Sequence, residues 1–367
     1  KVSMSATGNI VVTRAYDGSV NVWNKRQGGG FIEPQPLQHS STASIYTAAI
    51  SADGSTIVTS DDEGIAKVWN LNNDEPRQLE HVKAGSAVAV NAVSITPDGS
   101  QIITGGQDQF VRVWNNRSDI AQEKPKTFKL SLSGYSSAVS ISADAQTVLA
   151  ADDRENAIKI WGLHSTEPIK LQHDEKIFAF VAMSADASTV VTAGRDSLVK
   201  AWPIQTQSQS GLSVGTPKVI DLENIVIDDV AIANDGKTIL IAGRDRIAYI
   251  WKPETDEQIA IENSSSSQLH AAISADGATI ALGGDDGIVR VWQLATGDTR
   301  ELDHGRKITA VAIDGDGQTV VSSGDDGLVK VWHSGIDTPL DLEHHINGDI
   351  TDVDITADGK TVVSSGK

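Results

Sequence analysis

Short runs in which apolar and polar residues alternate recur along the whole chain, separated by turn residues. Leu328 to Trp332 is one such run, and Thr319 to Ser323 is another, joined by Asp325-Asp326-Gly327. An alternation of period two is the mark of a half-buried strand. Ile308 to Ile313 precedes them, closed by Asp314-Gly315-Asp316-Gly317, and a strand beginning at Thr338-Pro339-Leu340 follows. Asp-Gly between two apolar runs is a strong hairpin signal, because its central turn positions favour positive φ. Equivalent first turns stand at Asp53-Gly54, Asp98-Gly99, Asp235-Gly236, Asp276-Gly277 and Asp358-Gly359, with Asp144-Ala145 and Asp186-Ala187 as weaker copies.

Each closing run ends in Trp. All eight tryptophans are used this way, at Trp23, Trp69, Trp114, Trp161, Trp202, Trp251, Trp292 and Trp332. A self-similar period of roughly 40–45 residues with short strands predicts an all-β fold, a β-propeller of four-stranded antiparallel blades. Eight closing runs favour eight blades, with Asp358-Gly359 turning a further repeat that the chain does not complete; the alternative is a seven-bladed ring continuing into part of a second propeller. The chain opens and stops inside a repeat, which predicts that residues 1–367 are a propeller excised from a longer protein. Gln205 to Gly215, rich in Gln and Ser, is expected to be a surface loop.

The segment Gly324-Asp325-Asp326-Gly327-Leu328-Val329-Lys330-Val331-Trp332 resembles the closing half of a WD-repeat (WD40) blade. In that family an Asp six residues before the Trp accepts hydrogen bonds from a loop His, with the Trp packed beneath. The matching positions here are Asp17, Asp108, Asp196, Asp245, Asp286 and Asp326, with Glu63 and Glu155 in the other two repeats. A Leu-x-His replaces the family's Gly-His, at His39, His81, His173, His304 and His344; Asn224 and Asn263 stand in two repeats. The Asp after the Trp is missing. The resemblance implies the fold and a platform for protein partners.

Composition narrows the functional classes. At 39% hydrophobic and 22% charged residues, with 32 Gly, the chain has a globular composition. It has no stretch of ~18 consecutive apolar residues, so no membrane insertion is expected. No targeting segment is visible, and a cytoplasmic location is the expectation. The absence of Cys excludes disulfides and thiolate metal sites. The formal charge of −19 repels nucleic acid phosphates and favours basic partners.

The repetition of His and Asp argues against catalysis, which needs one asymmetric constellation of convergent groups. Gly236-Lys237-Thr238 and Gly359-Lys360-Thr361 follow hairpin turns, where no phosphate-binding nest can form. Asp314-x-Asp316 lacks the further carboxylates of a calcium loop. Quinoprotein dehydrogenases also repeat a Trp per blade, but here Lys67, Arg112, Lys159, Lys200, Arg290 and Lys330 precede it, and these are read as solvated strand faces. No catalytic residue, metal or cofactor is therefore assigned.

Function should lie where equivalent positions diverge. The residue before the turn Asp reads Tyr16, Asp62, Gln107, Arg154, Arg195, Arg244, Asp285 and Asp325. A second series, ahead of the inner strands, reads Ser44, Ala89, Tyr135, Ile177, Val226, Ser267, Lys307 and Asp349. In WD-repeat propellers these positions lie on the top face. Tyr135, Ile177 and Val226 fall in the repeats that carry Arg154, Arg195 and Arg244, and Arg beside exposed apolar groups is a composition of interface hot spots. These six are the expected partner-binding residues, with Asp62, Asp285 and Asp325 as a secondary acidic arc. The expected function is a non-catalytic platform for a protein or peptide, a sensor or scaffold module covalently linked to further signalling domains. The alternatives are a propeller enzyme with a site in its central channel, and a structural assembly subunit.

Overall fold

The computed structural model describes the chain except for residues 1, 15–18, 26–33, 40–42, 72–74, 84–85, 117–123, 131–135, 153–156, 173–177, 195, 208–210, 263–268, 337, 344–349 and 367. The described residues fold entirely as strands and turns, in eight antiparallel blades of the β-propeller type. Within each blade the strands pair in chain order from inner to outer.

Two compact units divide the chain. The first, mainly Ser3–His173, holds blades 1 to 4. Blade 1 comprises Val2–Met4, Ile10–Arg14, Val20–Asn24 and Gln35–Leu37; blade 2, Ile45–Ile50, Thr56–Asp61, Ile65–Asn70 and Arg77–Glu80. Blade 3 comprises Val90–Ile95, Gln101–Gly106, Phe110–Asn115 and Lys126–Lys129; blade 4, Ser136–Ile141, Thr147–Asp152, Ala157–Gly162 and Ile169–Gln172.

The second unit, mainly Asp174–Ile204 and Gly215–Lys367, holds blades 5 to 8. Blade 5 comprises Phe178–Met183, Thr189–Gly194, Leu198–Gln207 and, outermost, Lys218–Asp221. Blade 6 comprises Ile227–Ile232, Ile239–Gly243, Ile247–Lys252 and Glu257–Glu262; blade 7, Leu269–Ile273, Thr279–Gly284, Ile288–Gln293 and Thr299–Asp303. Blade 8 comprises Ile308–Ile313, Thr319–Gly324, Leu328–His333 and Leu340–Glu343, and the hairpin of Ile350–Ile355 with Val362–Gly366 follows it.

The segment read as a loop at Gln205 to Gly215 is largely strand. Leu198–Gln207 runs past its blade and pairs with Gly211–Val214. A Thr/Gln-rich segment gives a weak strand signal, yet the ladder can simply continue from the apolar start of the strand.

Position within the blade decides burial. The second strand lies between two neighbours and is buried along its length, as in Thr56–Asp61 and Thr319–Gly324. The outer strands bury alternate residues, leaving Leu79, Phe128, Leu171 and Leu302 at 3% exposure or less. Leu79, Phe128 and Leu302 fill seams between consecutive blades of one unit. Val58, Ala66, Val68 and Leu79 of blade 2, for example, close on Val90 and Ile102 of blade 3.

The first turns also join blades. Ala52 N–H donates to Pro97 O at 2.9 Å, and Gly315 N–H donates to Ala357 O at 3.0 Å. The turn residue that must be left-handed is usually Gly, as at Gly54 with φ 77°. Ala145 and Ala187 hold φ 60° and 57° in the two weaker copies, so those turns keep the same geometry with a Cβ in place.

Candidate functional site

Three blades build the same polar chain around the closing Trp. In blade 2, Trp69 Nε1 donates to Thr59 Oγ1 at 2.8 Å, and Thr59 lies 2.6 Å from His39 Nδ1. His39 Nε2 stands 3.0 Å from Asp61 Oδ2. With Thr59 accepting from the indole, its hydroxyl donates to Nδ1, leaving the Nε2 proton for the carboxylate. Blade 3 repeats the chain as Trp114, Thr104, His81 and Asp108, at 2.8, 2.7 and 3.2 Å. Blade 8 uses Trp332, Ser322, His304 and Asp326, at 3.0, 2.8 and 3.5 Å. His39, His81 and His304 are at most 5% exposed.

Burial pushes the His81 and His304 imidazoles below their ordinary pKa, against the pull of Asp108 and Asp326. Burial alone would raise the Asp108 carboxyl, but its bonds to His81 and Arg112 hold it lower. The hydroxyl links Trp to His by hydrogen bonds in each of these blades, while His81 with Asp108 and His304 with Asp326 meet at ion-pair distance. This is how buried polar groups are made tolerable, not how a reactive centre is exposed to substrate.

Two expectations are corrected. In blade 2 the carboxylate that meets the His is Asp61, not Glu63. Asp61 ends the second strand, where blades 3, 5, 6, 7 and 8 have Gly106, Gly194, Gly243, Gly284 and Gly324. Asp152 takes that place in blade 4. Where the strand ends in Gly, the turn Asp folds back into the space. A Cβ on Gly324 would stand 2.7 Å from Asp326 Oδ1 and 2.6 Å from His304 Nε2. Where the strand ends in Asp, the turn residue is Glu63 or Glu155, the latter outside the described residues. Gly with Asp and Asp with Glu are therefore two routes to one buried carboxylate.

The second correction concerns the cations two residues before each Trp. They are not solvated faces: Lys159 is 3%, Arg290 7% and Lys200 9% exposed. A residue two before the Trp shares its face, and there it serves the buried acid. Arg112 Nη1 lies 2.5 Å from Asp108 Oδ2, Arg290 Nη1 2.6 Å from Asp286 Oδ2, and Lys159 Nζ 3.2 Å from Asp152 Oδ2. Asn224 is no inward substitute for His either; it is exposed, with φ 70°. Position 173, 263 and 344 lie outside the described residues.

The divergent series are arranged differently. In four blades the residue before the turn acid donates its backbone N–H to the carbonyl of the second series: Asp62 to Ser44, Gln107 to Ala89, Arg244 to Val226 and Asp325 to Lys307, at 2.9 to 3.1 Å. Asp62, Gln107, Arg244 and Asp325 are all exposed. The two variable positions of a blade therefore form one adjacent pair on its edge. Sequence spacing treated them as separate; the signal was their shared place at opposite ends of one strand pair.

Of the expected partner-binding residues, the structure brings Val226 and Arg244 together, and Val226 is 51% exposed. Tyr135, Arg154, Ile177 and Arg195 lie outside the described residues. On the acidic side, Asp62 Oδ1 accepts from Ser44 N–H at 2.9 Å. Asp285 Oδ1 pairs with Lys307 Nζ at 2.8 Å, and that bond, with Asp325 nearby, raises the Lys307 pKa. Among the described residues no helix is long and apolar enough to cross a membrane.

The family model described as WD domain, G-beta repeat, matches residues 34–70, 77–115, 260–293 and 298–333. No curated protein matches the chain. Each match spans an outer strand and the first three strands of the next blade, ending at Trp69, Trp114, Trp292 or Trp332 with at most one further residue. The four matched segments are similar to WD40 repeats, and the remaining blades are built on the same four-stranded plan.

Proposed function

We propose that this chain is a non-catalytic protein- or peptide-binding platform that recognises its partner with the variable pairs on the blade edges. The observation that carries the reading is the recurring backbone bond between the two variable series, from Arg244 to Val226 and in three further blades. In those four blades it holds the two variable positions at a fixed spacing, apart from the hydrogen-bonded chains inside blades 2, 3 and 8. WD40 propellers typically serve as interaction platforms, and the His residues of the chains in blades 2, 3 and 8 are buried.

The recognition residues are those of the three Arg-bearing repeats, Arg154, Arg195 and Arg244, with Tyr135, Ile177 and Val226 at the second variable position of the same repeats. These residues fall between the matched segments 77–115 and 260–293. The platform acts as a sensor or scaffold module in a larger cytoplasmic signalling protein.

The test uses tagged chain as bait in extract of the source cells, with captured proteins identified by mass spectrometry. Wild type is compared with the triple Arg154→Glu/Arg195→Glu/Arg244→Glu variant and with Asp62→Lys/Asp285→Lys/Asp325→Lys. A partner held by wild type and the acidic-arc variant but lost by the Arg variant supports the reading. Loss only in the acidic-arc variant moves the site to the other residues, and a captured set unaffected by either variant contradicts it.

A further inference from the structure

Blade 6 differs from its neighbours in where it keeps positive charge. Blades 2, 3, 4, 5, 7 and 8 place Lys or Arg two residues before the Trp, on the inward face. Blade 6 has Tyr249 there, and its hydroxyl donates to Asp245 Oδ2 at 2.6 Å. Asp245 Oδ1 accepts from Ile247 N–H at 3.2 Å, so the turn's carboxylate is occupied by neutral donors of its own blade. The cations stand on either side of it instead. Arg244 and Arg246 are both exposed.

Arg246 occupies the left-handed position of the turn, with φ 72°. The other described copies are Gly64, Gln109, Ser197, Gly287 and Gly327. A residue with a Cβ is strained there relative to Gly, and strain of this kind collects at sites of function. Arg246 is the one charged residue among the six. No ion pair or hydrogen bond holds its guanidinium among the described residues. Beside it, the bond from Arg244 N–H to Val226 O at 2.9 Å fixes a half-exposed aliphatic group.

We infer that Val226, Arg244 and Arg246 form a recognition point for an acidic peptide segment that carries an aliphatic side chain. The inference rests on the platform reading and names the chemistry of its partner. Two guanidinium groups match carboxylates in planar, two-bonded geometry. Val226 supplies an apolar contact at their side. On a chain of net charge −19, a pair of outward arginines selects acidic sequence against basic sequence at this one edge.

The probe is a fluorescein-labelled peptide of alternating Glu and Leu, titrated with the 367-residue chain and read by fluorescence anisotropy. A Gln–Leu peptide of equal length is the comparator. The Glu–Leu peptide is expected to bind more tightly, and Arg246→Gly should weaken it at least about tenfold. The same substitution relieves the left-handed strain, so the melting temperature should hold or rise by roughly 1–3 °C. Arg246→Asn, which tolerates the same φ, should give the same loss of binding.

Unchanged binding in both variants, or equal binding of the Gln–Leu peptide, overturns the inference. If Arg246→Gly leaves peptide binding intact while the triple Arg variant loses its cellular partner, the platform stands and the acidic-peptide assignment falls. If neither variant changes anything, both fall.

Discussion

Blades 3 and 4 are neighbours in one compact unit and solve the same packing problem in different ways. Blade 3 completes the polar chain from Trp114 through Thr104 and His81 to Asp108, with Arg112 on the acid. Blade 4 has Ala150 where blade 3 has Thr104, and the Trp161 indole N–H has no partner among the described residues. Yet Trp161 is only 1% exposed, whereas Trp114 is half-buried. Its ring packs 5.4 Å from that of Phe128, on the outer strand of blade 3, and Lys159 pairs with Asp152 inside. The comparison separates two duties of the closing Trp. Its apolar volume in the seam is required in both blades. The hydrogen bonds beneath it are a variable supplement, present in blade 3 and absent in blade 4 among the described residues.

The largest effects should come from blade 4. Trp161→Ala is expected to cost ~3–5 kcal/mol, as for other buried aromatics. Lys159→Ala should cost a similar ~3–5 kcal/mol by taking the buried cation away from Asp152, whereas Lys159→Met with Asp152→Leu should recover most of it. Chemical denaturation of the three variants measures both; a Lys159→Ala variant as stable as wild type would show that Asp152 finds another partner.

In blade 3, Thr104→Val removes the hydroxyl that satisfies both Trp114 and His81. A loss of about 1–3 kcal/mol is expected. The reciprocal change in blade 4, Ala150→Ser, offers Trp161 an acceptor and should add about 1 kcal/mol. If it destabilises, the seam beside Trp161 is too full for one oxygen, and the polar chain was lost to make room for packing.

The blades should also differ in their response to acid. His81 and His304 have lowered folded pKa values, so the unfolded chain binds more protons than the native one as pH falls below about 6.5. Their contribution is therefore present at neutral pH and lost on acidification through the unfolded pKa. Stability measured from pH 7.5 to 5 should fall, and His81→Gln should flatten that slope while lowering stability at pH 7.5.

Much of the scaffold was legible because it depends on local rules repeated eight times. Trp spacing, Asp-Gly turns and period-two alternation suffice for blades whose strands pair with chain neighbours. The inward cations were legible in principle: Lys67 and Trp69 are two residues apart, so they share a strand face. The alternation reads as turning them outward instead. The exchange of Gly106 with Asp108 for Asp61 with Glu63 was also written in the chain, but reading it needs the register that aligns Asp61 with Gly106. The edge pairs required a backbone bond between segments 18 residues apart, which composition does not reveal. Four of the six residues expected at the partner site lie outside the described residues.

The account assigns folding to the blade interiors and recognition to the blade edges. Parallel thermal melts of Thr104→Val and Arg244→Glu test that division most directly. Thr104→Val should melt several degrees below wild type, while Arg244→Glu should melt within about a degree of it, since exposed substitutions usually change stability by less than ~0.5 kcal/mol. An Arg244→Glu variant that melts as low as Thr104→Val would show that the edge residue holds the fold together, and would contradict the account.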